Sequence, residues 1–113
     1  MYNILMDLEN CFLKSEYISD RSWLERTLHE NFHECGKSGL LYDRKQTVES
    51  MLSCALDRDI LIHNFECMPI SVNSWLVHYI TKEGNKKYYR TSVWVKDENV
   101  KLLFHQASEL RNI

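Results

Sequence analysis

The residue types able to do chemistry fall in a few stretches. The segment RTSVWVKDENVKLLFHQASEL (90–110) holds Arg90, Trp94, His105 and Gln106 in what reads as two strands joined by a polar turn. His78 lies in another strand-like run, SWLVHYIT, and Glu34 stands between His33 and Cys35. A carboxylate on a pocket wall is a general-base candidate, and a histidine there is an acid–base or hydrogen-bonding group. The spacing His29-x-x-x-His33-x-Cys35 has metal-ligand types, but the helix that would align the two imidazoles is expected to end near residue 31, between them. It reads as incidental, and no metal is expected. There is no G-x-S-x-G elbow, and GKSG at 36–39 lacks the spacing of a phosphate loop. Neither a cofactor nor a catalytic set can be assigned.

The elements that must position these residues change character halfway along the chain. Leu5, Leu8, Phe12 and Ser15 recur at helical spacing, with Asp7, Glu9, Asn10, Lys14 and Glu16 on the other faces, so residues 2–16 are expected to form an amphipathic helix. A second helix starts near Asp20 or Ser22, where Ser22-x-x-Glu25 has the spacing of a capping box, and buries Leu24 and Leu28. A short strand at 32–35 and a Gly-containing turn follow. Asp43-x-x-Gln46 then opens a third helix reaching about residue 56. Beyond Asp59 the period becomes strand-like. Segments 60–69, 74–82, 87–96 and 100–107 are rich in β-branched and aromatic residues, with turns at 72–73, 83–85 and 97–99. Pro69, lacking an amide donor, belongs at an edge or a strand end. Helices followed by an antiparallel meander predict an α+β domain over 1–113, with three N-terminal helices packed on one face of a strongly curved sheet.

Composition narrows the function classes. With 113 residues, 44% hydrophobic and 27% charged, the chain suits one soluble globular domain. Net charge is −2 and the basic residues are scattered, so nucleic acid is not an expected partner. The N-terminal run MYNILMDLENCF has no basic leader and carries Asp7 and Glu9, and no apolar stretch is long enough to span a bilayer; a cytoplasmic location is expected. Cys11, Cys35, Cys54 and Cys67 are widely spaced and read as free thiols.

Three words in this order resemble the nuclear-transport-factor-2-like superfamily, also called SnoaL-like or cystatin-like α+β cones. SDRSWLERTLHENFHECGKSGLLYDRKQTVESML resembles its helix–strand–turn–helix entry, SWLVHYIT its fourth strand, and YYRTSVWVKDENVKLLFHQASEL its closing hairpin in the branch of unassigned function. The resemblance implies a cone with a pocket between sheet and helices, and frequent homodimerisation through the outer sheet face. It implies no single activity. Against the ketosteroid isomerases of the superfamily the chain departs in kind: Phe12 and Thr91 fall where their tyrosine and late aspartate donors would stand, leaving only Glu34 near the place of the base, so that chemistry is not expected.

Strand alternation then assigns faces. If the helix-covered face is the more apolar one, Thr91, Val93 and Val95 point inward, as do Leu102, Phe104 and Gln106; the hairpin placed as in the superfamily brings Leu76, His78 and Ile80 inward too. The expected ligand lining is Phe12, Glu34, Tyr42, His78, Thr91 and Gln106. The expected homodimer interface on the outer face is Tyr88, Arg90, Trp94, Leu103 and His105, with Ser92 between them. A bulge at 97–99 would reverse these relations. Two functions compete: a small-molecule-binding cone, and a protein-interaction module such as a cytosolic inhibitor or toxin-immunity protein.

Overall fold

The computed structural model describes residues 1–111. The elements run α1 (Tyr2–Cys11), α2 (Ser15–Ile18), α3 (Arg21–Thr27), β1 (Leu28–Cys35), β2 (Leu41–Asp43), α4 (Arg44–Ser53), β3 (Ile62–Ser71), β4 (Ser74–Glu83), β5 (Lys86–Lys96) and β6 (Val100–Glu109). The expected first helix is thus two pieces, broken at residues 12–14, and the described residues hold four helices where three were expected. Asp20, rather than Ser22, caps α3 by accepting the amide of Trp23 at 3.2 Å. At α4 the capping box is complete: Asp43 accepts the Gln46 amide at 2.8 Å, and the Gln46 side chain accepts the Asp43 amide at 2.9 Å.

The six strands lie in the order β2-β1-β6-β5-β4-β3. The β3–β4–β5–β6 meander is antiparallel, and β1 joins β6 in parallel. Gly84, at φ +65, makes the two-residue turn between β4 and β5 that a side chain would strain. Helices α1, α3 and α4 cover one face, and the core between them and the sheet is Leu5, Leu24, Leu28, Phe32, Val48, Phe65, Val77, Tyr79, Trp94 and Leu102. All four cysteines are free. No helix among the described residues is long and apolar enough to cross a membrane.

The face assignment is the reverse of the expected one on β4 and β5. Val77, Tyr79 and Thr81 are buried beneath the helices, as are Tyr88, Arg90, Ser92 and Trp94. Their neighbours Leu76, His78, Ile80, Thr91, Val93 and Val95 are half-buried on the other face. The apolarity rule failed because the outer face is apolar as well, while the polar interior residues are bonded to one another. On β6 the cause is a bulge, placed at Leu103 instead of 97–99. Val93 pairs with Phe104 but Trp94 pairs with Leu102, leaving Leu103 extra. Leu102 and His105, three residues apart, therefore both point inward, and Phe104 and Gln106 point out.

Candidate functional site

One row of the sheet sets the site. Glu34 on β1 is paired with His105 on β6, and His105 with Ser92 on β5, so three interior side chains stand side by side at the spacing of adjacent strands. In the next row Arg90 faces Tyr79. Glu9 comes down from α1, where it lies four residues after Leu5 on the buried stripe.

Glu9 is 4% exposed and is held by two donors: Tyr79 Oη at 2.5 Å and Trp94 Nε1 at 2.8 Å. Burial pushes its carboxyl above the ordinary 4.5, against the pull of hydrogen bonds from Tyr79, Ser92 and Trp94 and of the Arg90 charge. Ser92 Oγ meets His105 Nδ1 at 2.8 Å, both buried in the row beside Glu9. Burial, helped by the Arg90 and Arg58 charges, drives His105 down to about 3, so the imidazole is neutral at physiological pH. Arg90 donates from Nε to Thr81 Oγ1 at 2.8 Å and from Nη2 to Glu83 Oε2 at 3.2 Å.

Beneath the helices lies a cavity of about 60 Å³ lined by Glu9, Leu28, Phe32, Tyr79, Thr81 and Leu102 among others, room for roughly four or five waters. A groove of about 560 Å³ continues it outward past Tyr42, Leu40, Cys54 and Leu56. Six residues line both spaces and form the neck between them: Phe12 and Met51 from the helices, Glu34, His105 and Arg90 from the sheet, and Arg58 from the loop after α4. Arg58 is brought there by its loop, whose backbone amide bonds the Leu13 carbonyl at 2.9 Å. Burial raises Glu34 above the ordinary carboxylate value, against the lowering effect of Arg90 and Arg58. Among the described residues its side chain has neither a hydrogen-bond partner nor an ion-pair partner. A half-buried, unpaired carboxylate with a perturbed pKa in a cleft is the usual mark of an acid–base or ligand-binding group.

Of the expected lining, Phe12 and Glu34 are at the neck and Tyr42 is on the groove wall. His78, Thr91 and Gln106 are not in the pocket. They form an adjacent outer-face row, His78 beside Thr91 and Thr91 beside Gln106. There His78 bonds Tyr89 Oη through Nδ1 at 2.8 Å, with Nε2 3.4 Å from Glu66. Of the expected interface, Tyr88, Arg90, Trp94 and His105 are buried inside, Trp94 fully, and Leu103 is the half-buried bulge residue. His29 and His33 are strand residues, and the Nδ1 of each bonds the backbone of Asn31. Glu9, Met51, Arg58 and Tyr79 were missed. Glu9 and Met51 had a local signal, their helical spacing from Leu5 and Val48; Arg58 sits on a loop, where pattern says nothing about direction.

The arrangement resembles solved structures closely in shape and weakly in sequence. An NTF2-like protein of Cytophaga hutchinsonii superposes with TM-score 0.77 at 15% identity, over 96% of this chain and 97% of that one. A Parabacteroides distasonis protein provisionally assigned as a ketosteroid isomerase gives 0.76 at 10% identity, over 98% and 89%. An NTF-2-like protein of unknown function from Pseudomonas aeruginosa gives 0.71 at 12%, over 96% and 97%. No protein-family model and no curated protein matches the chain. The order of elements, the curved sheet with helices on one face, and these superpositions agree: the chain has the nuclear-transport-factor-2-like cone fold.

Proposed function

We propose that this chain is a small-molecule-binding cone domain whose ligand passes from the groove to the neck and is met there by Glu34. The carrying observation is the Glu34 carboxylate, which stands unpaired among the described residues at the junction of cavity and groove. Two potential anion donors deeper in, Tyr79 and Trp94, are taken up by Glu9, so stabilisation of a developing oxyanion has no free source at the floor. Binding is therefore the reading, with no reaction assigned. The test is a thermal-shift screen of metabolites on wild type, Glu34→Gln and the outer-face control His78→Ala. Hits that Glu34→Gln weakens and His78→Ala keeps support it; a screen in which no compound stabilises wild type overturns it.

We further propose that the domain is a homodimer through the outer sheet face. Met68, Leu76, Val93 and Phe104 form one apolar cross-strand row there, with Ile80 and the exposed Tyr89 beyond the His78–Thr91–Gln106 row, surface that a second copy would cover. A second reading, a protein-interaction module such as an inhibitor or immunity protein, is favoured by the small volume of the deep cavity and by the exposed Met68, Ile70 and Val72 at the β3–β4 hairpin. Under that reading no metabolite binds, and substitutions at the hairpin abolish partner capture.

A further inference from the structure

The cations around the neck share a single ion-pair partner among the described residues. Glu83 is the shared partner of three cations: Lys37 Nζ at 2.7 Å and Arg58 Nη2 at 3.6 Å on Oε1, and Arg90 Nη2 at 3.2 Å on Oε2. Asp57, next to Arg58 on the groove wall, is engaged with the Ser15 amide at 2.7 Å and lies near Lys14. Glu34, the remaining carboxylate at the mouth, makes no ion pair with any of them among the described residues. One carboxylate thus serves three cations, and two of these, Arg58 and Arg90, also line the neck. A guanidinium is a planar fork of donors suited to a carboxylate, and Arg58 and Arg90 use only part of their donor sets on Glu83 and Thr81. In the same lining Glu34 offers acceptor oxygens, and Phe12 and Met51 offer an apolar surface.

We infer that the neck selects a small organic acid, its carboxylate seated on Arg58 and Arg90, a hydroxyl or ammonium group donating to Glu34, and its apolar body lying against Phe12 and Met51. The inference rests on the pocket reading above and narrows it to one ligand chemistry. The three contacts differ in kind, so a simple acid, an amide or a hydrocarbon of the same shape satisfies only part of the site. Glu34 also keeps the anion on the arginine side, since two carboxylates repel.

The experiment is calorimetry on the full chain with four compounds sharing one isobutyl body: 2-hydroxy-4-methylpentanoate, leucine, 4-methylpentanoate and 2-hydroxy-4-methylpentanamide. The hydroxy acid or leucine is expected to bind at least tenfold more tightly than either the unsubstituted acid or the amide; which of the two leads identifies the donor group. Arg58→Gln, on an exposed loop, is expected to weaken the acid at least tenfold and leave the amide alone, with circular dichroism unchanged. Glu34→Gln is expected to shrink the preference for the substituted acid. His78→Ala is expected to bind as wild type. Equal affinity for acid and amide, an unchanged affinity in Arg58→Gln, or no binding by any of the four overturns the inference. A metabolite screen that still yields a neutral ligand sensitive to Glu34→Gln would then leave the pocket reading standing, whereas an empty screen removes both.

Discussion

Replacing Glu9 tests the interior of the cone most directly. In Glu9→Leu, Tyr79 Oη and Trp94 Nε1 lose their acceptor in a place where Trp94 is fully buried and Tyr79 nearly so. Each stranded donor costs about 1–3 kcal/mol, and removal of the buried carboxyl returns part of that through relieved desolvation, so a net loss of roughly 2–4 kcal/mol is expected. Glu9→Gln retains one carbonyl acceptor and should lose about 1–2 kcal/mol. A domain stability of ~5–15 kcal/mol leaves both variants folded and measurable. Urea unfolding followed by tryptophan fluorescence gives the numbers. The pH dependence adds a second check. Burial raises the folded carboxyl above its unfolded value near 4.5, so the folded state holds the extra proton. Its contribution is fully present below pH 4.5 and is lost as pH rises through the folded value, by up to roughly 1.4 kcal/mol per pH unit. Glu9→Gln has no such slope, so its cost relative to wild type is largest near pH 4 and shrinks as pH rises. His105 titrates in both proteins, and Glu34, raised by burial and in part by the Glu9 charge, shifts with that charge. A Glu9→Leu variant at least as stable as wild type would refute the reasoning, because the carboxyl would then be a desolvation cost with no compensating bonds. A Glu9→Gln cost that grows with pH would refute the assigned direction.

His105 provides the opposite sign. Its folded value of about 3 lies below the ordinary 6.5, so its contribution is present above pH 6.5 and is lost on acidification. Between pH 7 and pH 5 wild type is expected to lose roughly 2 kcal/mol that His105→Asn does not lose, read from denaturant midpoints; a gap independent of pH counts against the buried neutral imidazole. On the outer face, Phe104→Glu places a charge in the proposed dimer contact. Light scattering after size exclusion should give a dimer for wild type and half that mass for the variant at micromolar concentration, with circular dichroism unchanged. A wild type that runs as a monomer sinks the dimer reading.

Much of the fold was legible because its signals are local. The period change after Asp59, the turns at 72–73, 83–85 and 97–99, and the Asp43–Gln46 box each need only a few neighbouring residues, and the strands they delimit lie within two residues of their expected bounds. The short elements were not legible: α2 has one turn, and β2 has three residues that exist as a strand only by pairing with β1. The site was half legible. Glu34 reached the pocket through β1, and Phe12 and Tyr42 reached it from just past the end of α1 and from the unforeseen β2, whereas His78, Thr91 and Gln106 required a choice between two faces of a strand.

That choice could not be made from a strand's own composition. What turns Arg90, Ser92, Trp94 and His105 inward is a set of partners, and the decisive one comes from the far end of the chain: Glu9 lies 70 residues from Tyr79 and 85 from Trp94. A buried polar face is tolerable only when such partners exist, and an apolar outer face is tolerable only when something covers it. Both conditions are non-local, and here they act together to invert the simple rule. A consequence follows for β5, whose residues alternate between the two surfaces without a shift in register against β4. Substitutions at 90, 92 and 94 should alter the pocket and leave association alone, and substitutions at 91, 93 and 95 should do the reverse. One strand thus separates the two proposed roles by parity, and a position that disturbed both equally would mean that pocket and outer face are coupled through the sheet.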